Sequence, residues 1–300
     1  EAFLYCVERD RRLVAARRAA LPRRNFKAIE ADKISVADAK RREELVLLPR
    51  MGQAAPEVFA ELFRAEGFRV ECLAMPTRES LRLGRRHTSG KECIPLTITA
   101  GSLLERVLGE TNSDERFAFF MPTANGPCRF GMYNVLHKII LEKTGNKERV
   151  RVVSPLDSDY FAGVAADFQV RAFVGVAAAD LLLAGLHDVR PVEKRPGAAQ
   201  EIFDRYYGEL KNRIRATRGR GLVVALGELP NGMYGARGLL ARAAAEFAAV
   251  KDFERNIPTV SVVGEIYARL DPFANDFVVD KLERRGLRVL LAPFSEWLEY

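Results

Sequence analysis

Two of the four cysteines stand where a predicted loop runs into a predicted helix. Cys93 lies in TSGKECIPLTITAG, and Cys128 follows Asn-Gly-Pro in FFMPTANGPCRFGMYNVLHKII. Free backbone N–H groups and the positive end of the helix dipole favour an anionic thiolate at such a position. Free cysteines are also often small buried apolar residues, and the wide separation of these two matches no short metal motif. Spacing alone leaves a metal site and two core cysteines both open.

The elements that position these cysteines begin with a βαβ pattern. Residues 45–49 (LVLLP) are an apolar run of strand length, residues 57–66 have helical periodicity, and residues 68–75 resume as a strand. Residues 259–263 and 287–292 enclose a similar unit, in which DKLERRGLRVLLAP resembles the earlier AELFRAEGFRVECLAMP. This repeat predicts two α/β lobes, because each unit needs neighbours to cover its sheet.

The middle of the chain separates the two repeats. Residues 117–121 and 150–153 are predicted as buried strands of the first lobe. Residues 160–250 are rich in Ala and Leu and predict a helical layer, with Pro191 and Pro196 marking a boundary. The predicted fold is therefore α/β, with two Rossmann-like lobes whose parallel sheets are joined by the helical layer.

Three segments follow from this pattern. Residues 1–44 predict a basic, exposed helical connector, residues 45–190 the first α/β lobe with the cysteine loops, and residues 191–300 a helical segment with the second lobe. The chain opens without Met and breaks off at Tyr300 directly after a strand pattern. We therefore expect a piece of a longer protein, truncated at its C-terminus.

Composition favours a cytoplasmic protein without a membrane or nucleic-acid partner. The net charge of +7 comes mostly from arginines near the start of the chain, and no RNA-binding motif or metal-finger spacing accompanies them. The longest apolar stretch, residues 170–186, contains Arg171 and Asp180 and predicts a buried core helix rather than a membrane span. No signal peptide is recognisable, and four widely spaced cysteines do not resemble a secreted disulfide framework.

Four sequence blocks carry a family resemblance. They are TSGKECIPLTITAG, FFMPTANGPCRFGMYNVLHKII, SPLDSDYF and VVGEIYARLDPFANDFVVDKLERRGLRVLLAPFSEWLEY. Over residues 45–300 the chain resembles acyl-CoA dehydratase activase-related proteins, also described as CoA-substrate-specific enzyme activases. These belong to the 2-hydroxyacyl-CoA dehydratase (2-hydroxyglutaryl-CoA dehydratase) and benzoyl-CoA reductase family of anaerobic metabolism.

The resemblance implies a cofactor and its ligands. Stacked α/β lobes of this family hold an iron–sulfur cluster, either a four-iron (4Fe-4S) or a double-cubane cluster, through thiolates near the lobe interface. By position, Cys93 of Lys-Glu-Cys-Ile-Pro and Cys128 of Gly-Pro-Cys-Arg-Phe-Gly become cluster ligands, and soft sulfur suits iron. The family clusters have at least three protein thiolates. Cys72 is a weaker third candidate, because alternation places it on one strand face with Val70 and Ala74, which predicts a core residue.

The third cluster ligand has other possible sources than Cys72. The residues next to Cys128 have two interpretations each. If Cys72 is a core residue, the third ligand would come from sequence beyond Tyr300 or from a partner across an interface. Cys6, in the basic lead segment, is interpreted as incidental. Gly126 and Pro127 would hold a tight loop at the cluster, and Arg129 would offset its negative charge. Ordinary turn chemistry explains these three residues equally well.

Two further strand ends supply pocket candidates. Asp157 and Ser158 in SPLDSDYF would hydrogen-bond in a pocket, although an N-cap is favoured. GEIYARLDPFAN follows a predicted strand of the second lobe and contains Glu265, Tyr267, Arg269 and Asn275. Either one of them faces a substrate or the cluster, or the segment is only a structural loop. His137 lies more than two helical turns from Cys128, which favours a surface or core residue over a base.

Two function hypotheses follow. In the first, the chain is a redox module whose cluster receives an electron from an ATP-dependent activase domain or subunit, with a CoA thioester as substrate and a homo-oligomer as the expected assembly. The sequence leaves open whether the chain itself is an enzyme, and it contains no G-x-x-x-x-G-K-[ST] phosphate loop. In the second, the chain is a cluster-free domain that docks an activase or dehydratase subunit. A thiol enzyme using Cys128 and His137 is a third, weaker alternative.

Overall fold

Four parallel strands form the main sheet of the protein. The computed structural model describes residues 35–124, 128–155, 163–217, 219, 221–230 and 232–298. The strands are β1 (Leu45–Leu48), β2 (Val70–Cys72), β3 (Phe117–Phe120) and β4 (Val150–Val153), in the order β2-β1-β3-β4. Their nearly continuous apolar sequences, such as LVLL and FAFF, are those of parallel strands buried on both faces.

Helices cover both faces of this sheet. They are α1 (Val36–Arg41), α2 (Ala55–Ala65), α3 (Arg78–His87), α4 (Ile94–Leu108) and α5 (Tyr133–Lys143), and a 3₁₀ turn, Arg129–Met132, leads into α5. On one face, Val46 and Ala118 pack with Phe63 of α2 in the larger core cluster. On the other face, Leu47 and Phe119 pack with side chains of α4 and α5 in a second cluster.

A helical layer lies against the α2 side of the sheet. It consists of α6 (Phe168–Val189), a 3₁₀ turn (Arg190–Val192), α7 (Ala198–Ala216), α8 (Leu222–Glu228) and α9 (Ala236–Val250). Of the helices described, α6 with its following turn is the one apolar and long enough to span a membrane. Of its most apolar 18-residue stretch, 67% is buried inside the protein. Arg171 of α6 is buried and pairs with Glu66 and Asp167. The prediction of a core helix is confirmed.

A second, smaller sheet packs against α6. It pairs β5 (Thr259–Val262) with β6 (Arg288–Leu291) in parallel, and α10 (Ile266–Leu270) and α11 (Val278–Glu283) connect the two strands. A final 3₁₀ turn, Ser295–Leu298, lies against α6, where the Ser295 N–H donates to Asp180 Oδ2 at 2.7 Å. This contact holds the end of the described chain on a nearly buried carboxylate.

Helices α3 and α4 pack at unusually close range. A Cβ atom added at Gly84 would lie 1.9 Å from the Thr97 carbonyl oxygen, and one added at Gly101 would lie 1.7 Å from the Ser80 carbonyl oxygen. Ser80 also donates to Glu105 across the same contact. Since real side-chain carbons do not approach backbone atoms so closely, glycine at both positions sets the path of α4.

The mixed α/β fold with a parallel sheet is confirmed, but the boundary of the predicted connector is wrong. Residues 1–34 lie outside the described part of the chain, whereas residues 36–44 belong to the domain. Val36 and Ala39 are 2% and 0% exposed, because both lie on the inner face of α1 and join the main core. Glu44 is buried beside Arg151 of β4, whose Nε lies 2.7 Å from its carboxylate.

Candidate functional site

Cys93 is the N-cap residue of α4, as its loop-to-helix position predicts. Its backbone is extended, with φ −63° and ψ 142°, and Pro95 follows in the first turn. The side chain is half-buried and packs against the core cluster that contains Tyr133. Cys93 therefore directly precedes a fifteen-residue helix, and its side chain makes no capping hydrogen bond.

Cys128 occupies the equivalent position before the turn that leads into α5. It is the N-cap residue of Arg129–Met132 and is exposed. The loop that carries it is closed by a hydrogen bond from Thr123 Oγ1 to the Gly131 carbonyl oxygen at 2.8 Å. A Cβ atom on Gly131 would lie 2.5 Å from the Ala124 carbonyl oxygen, so glycine is required for this approach.

The two cysteine loops meet each other. Arg129 Nη1 donates to the Lys91 carbonyl oxygen at 3.1 Å, which joins the turn after Cys128 to the loop before Cys93. Because Arg129 is exposed, its guanidinium keeps donors free to act on an anionic group nearby. The structure thus places the two cysteines, separated in sequence, in neighbouring loops on one side of the sheet.

Tyr133, which the sequence reasoning missed, links the parts of this site. It is 4% exposed at the start of α5, and its ring contacts Phe130 edge-on at 5.2 Å. Burial raises the pKa of Tyr133, and the negative charge and hydrogen bonding of Cys93, then Glu265 and Cys128, raise it further. The phenol therefore stays neutral and lies within electrostatic reach of both sulfurs.

Glu265 reaches the same place from the second sheet. It is the N-cap of α10, where its carboxylate accepts from the backbone N–H groups of Tyr267 and Ala268 at 3.1 and 2.8 Å. Its charge acts on Tyr133 from there. Arg269 and Asn275 have loop-shaping contacts instead: Arg269 donates to the Pro293 carbonyl oxygen, and Asn275 donates to that of Arg269.

Cys72 has the surroundings of a core residue. It ends β2 and packs with Val70 against the larger core cluster, on the face that strand alternation predicts. Burial, and next the charge of Glu57, raise the pKa of its thiol to about 12. A thiol in this position stays protonated near neutral pH and does not share a site with Cys93 and Cys128.

His137 is a core residue that ties the two cysteine-bearing helices together. It is fully buried, with Nδ1 2.5 Å from the Tyr133 carbonyl oxygen and Nε2 3.3 Å from Thr99 Oγ1 of α4. Burial lowers its pKa to about 4. This placement agrees with the predicted core interpretation and not with a base acting on Cys128.

Because two histidines are buried, we expect the folded protein to lose stability as the pH falls. Burial also lowers the pKa of His187 to about 4, so both imidazoles are neutral in the folded protein and titrate near 6.5 when unfolded. The unfolded state binds more protons between these values, so stability is full above pH ~6.5 and falls towards pH 4, by up to about 3 kcal/mol for each histidine. We expect the midpoint of thermal unfolding to fall over this range. The slope should be shallower in His137→Gln, and an unchanged slope would contradict the assignment.

Four candidates from the sequence lie outside the described residues. They are Gly126, Pro127, Asp157 and Ser158. Within the described ranges, no group of three or more His, Cys, Asp or Glu side chains converges as a metal site. The two joined loops place two thiols near one phenol, on which a carboxylate also acts. Thiols are of the kind that suits iron.

Comparisons with known proteins add no relative: no protein-family model, curated protein or solved structure matches this chain.

Proposed function

We propose that the chain is the iron–sulfur cluster-binding module of a 2-hydroxyacyl-CoA dehydratase and activase type system. Cys93 and Cys128 are its thiolate ligands. The observation that carries the proposal is the meeting of the two cysteine loops, joined by the Arg129 to Lys91 hydrogen bond and by Tyr133. The sequence blocks quoted above support the family assignment.

The finer architecture belongs to the same proposal. We infer two Rossmann-like lobes, since β1-α2-β2 and β5-α11-β6 are both parallel pairs with a helical connection. Parallel strands bring their carboxyl ends to one edge, where α/β proteins bind ligands. Glu265 follows β5 and acts on Tyr133 beside the cysteine loops, which supports a site between the lobes.

The residues around the two thiolates have separable tasks. When bound, an iron–sulfur cluster supplies one-electron transfer at low potential. Cys93 and Cys128 are the N-cap residues of α4 and of the Arg129–Met132 turn, so each lies at the start of a helical segment. Arg129 would offset the negative charge of a bound cluster, and the neutral Tyr133 phenol offers an O–H donor on the Cys93 side. An ATP-dependent activase would deliver the electron, a CoA thioester would be the substrate, and a cytoplasmic homo-oligomer is the proposed state.

Anaerobic purification with iron and sulfide analysis tests the proposal. We expect a brown protein with stoichiometric iron and acid-labile sulfide, and a visible absorption band that bleaches on reduction. A protein that remains colourless and iron-free after anaerobic reconstitution with iron and sulfide would contradict it.

A second candidate is a cluster-free docking domain for an activase or dehydratase subunit. The observation that favours it is the short helix α8, whose apolar side chains face solvent. Val223 is 86% exposed, and Leu222, Val224 and Leu226 are between 44% and 50% exposed. Contiguous exposed apolar side chains mark interaction surfaces. This candidate predicts that reconstitution fails while the folded protein still binds a purified subunit, and that Val223→Asp abolishes that binding.

A further inference from the structure

A buried polar junction connects α10 to the loop that follows β1. Gly52 in that loop lies against the end of α10, since a Cβ atom added there would be 3.5 Å from Leu270 Cβ. Tyr267 and Asp271 are one helical turn apart, and the Asp271 N–H donates to the Tyr267 carbonyl oxygen at 2.9 Å. Their exposed fractions are 2% and 0%. Both side chains are therefore enclosed where the second sheet meets the first.

Polar atoms at this junction lack hydrogen-bond partners. Asp271 Oδ1 accepts from the Ala274 N–H at 2.7 Å. Among the described residues, Asp271 Oδ2, Tyr267 Oη and Arg50 Nε are buried without a partner. A buried oxygen left without a donor is unfavourable, and an ionised one much more so. The enclosed state therefore favours the neutral form of the Asp271 carboxyl group.

The groups that face Asp271 include one opposite charge. Burial raises the pKa of Asp271, while the backbone N–H of Ala274, the Arg50 guanidinium and the backbone N–H of Phe273 oppose that rise. Burial, and then the proximity of Asp271, Tyr133 and Glu265, raise the pKa of the Tyr267 phenol, so these titratable groups lie near it. Arg50, on the loop after β1, also faces the junction, and it pairs with Glu57 at 3.5 Å. Burial raises the pKa of Asp271 more than the Arg50 guanidinium lowers it.

We propose that Asp271 is a pH-sensitive latch that holds α10 against the loop after β1 while its carboxyl group is protonated. Ionisation puts an unpaired charge in a closed space, and the carboxylate reaches water only when α10 moves away from Gly52. The latch lies between the two sheets, so opening it widens access to the side of the protein where Tyr133 and Cys93 lie. It does not depend on the proposed iron–sulfur function.

The direction of the pH effect follows from the two states. In the open state Asp271 titrates near the ordinary value of about 3.9, and in the closed state it titrates higher. The latch is fully closed below the open-state value. Between the two values the ratio of open to closed protein rises by up to about tenfold per pH unit, and it levels off above the closed-state value.

Hydrogen exchange of the native protein between pH 4.5 and 8.5 tests the latch. After correction for intrinsic exchange rates, we expect opening in peptides covering residues 49–54 and 265–276 to increase up to about tenfold per pH unit, and then to reach a plateau. Peptides from α7 should not follow this rise. Asp271→Asn should remove the pH dependence in both segments, and the exposed control Asp114→Asn should preserve it.

A second variant keeps the test informative if Asp271→Asn does not fold. Tyr267→Phe removes the neighbouring phenol oxygen and keeps the carboxyl group, so its two segments should still open with rising pH. Equal pH dependence in wild type and a folded Asp271→Asn protein would overturn the proposal. A pH-independent, folded Tyr267→Phe protein would overturn it as well, because the effect would then belong to the phenol.

Discussion

Serine at Cys93 or at Cys128 is expected to remove most of the iron that the proposed cluster would hold. Each cysteine supplies one of the two thiols that the described site brings together, and an alkoxide is a harder, much more basic ligand than a thiolate. Loss of either should lower iron content by about tenfold, as outer contacts alone already change metal affinity by 10–100-fold. Iron analysis and the visible spectrum after anaerobic reconstitution measure the effect.

Cys72→Ser is the matched control for these variants. Its thiol packs in the core and stays protonated, so the substitution should leave iron content unchanged and cost only a modest amount of stability. Iron retained in both Cys93→Ser and Cys128→Ser would contradict the assigned ligands. Iron lost in Cys72→Ser, with the fold intact by circular dichroism, would instead make Cys72 a ligand.

Alanine at Gly101 is expected to lower the free energy of unfolding by on the order of 2 kcal/mol. The new methyl group would meet the Ser80 carbonyl oxygen at 1.7 Å, and that oxygen belongs to helix backbone that cannot yield locally. Helices α3 and α4 must separate, and the intrinsic helical gain of alanine, about 1 kcal/mol, does not offset this. The thermal midpoint should fall by roughly 4–8 °C.

Gly208→Ala provides the control for the same chemical change. Gly208 lies inside α7, and a Cβ atom there would meet nothing within 4 Å. This variant should gain about 0.5–1 kcal/mol through helix propensity alone. If Gly101→Ala were as stable as Gly208→Ala, the close crossing of α3 and α4 would be wrong. Since Cys93 is the N-cap residue of α4, Gly101→Ala should also weaken binding of the proposed cluster.

Strand positions could be predicted from sequence because their apolar runs are short and sharply bounded. Residues 45–49, 150–153 and 259–263 coincide with β1, β4 and β5 to within one residue. The strand expected over residues 68–75 shrinks to Val70–Cys72, because its partner β1 ends at Leu48. Residues 36–44 were misjudged because the basic composition of the preceding segment concealed the inward-facing Val36 and Ala39.

The site was predictable only in part. Loop-to-helix junctions singled out Cys93 and Cys128, since the start of a helix has a recognisable sequence pattern. Tyr133 was missed because an aromatic residue at the start of a helix is typical of an ordinary core position. Its significance depends on Cys93 and Glu265 arriving from distant elements, which strand order and helix packing decide and local sequence does not.

The tether between Ser295 and Asp180 limits how far the protein can be shortened for expression. Any version that stops before Ser295 deletes one N–H donor to the Asp180 carboxylate on the inner helix α6 and leaves it with the Phe294 backbone. Losing a hydrogen bond to a charged group costs about 1.5–3 kcal/mol, and the contact of the final turn with α6 would also be lost. Cloning boundaries at the C-terminal side should therefore retain the turn Ser295–Leu298, even though it adds no strand to either sheet.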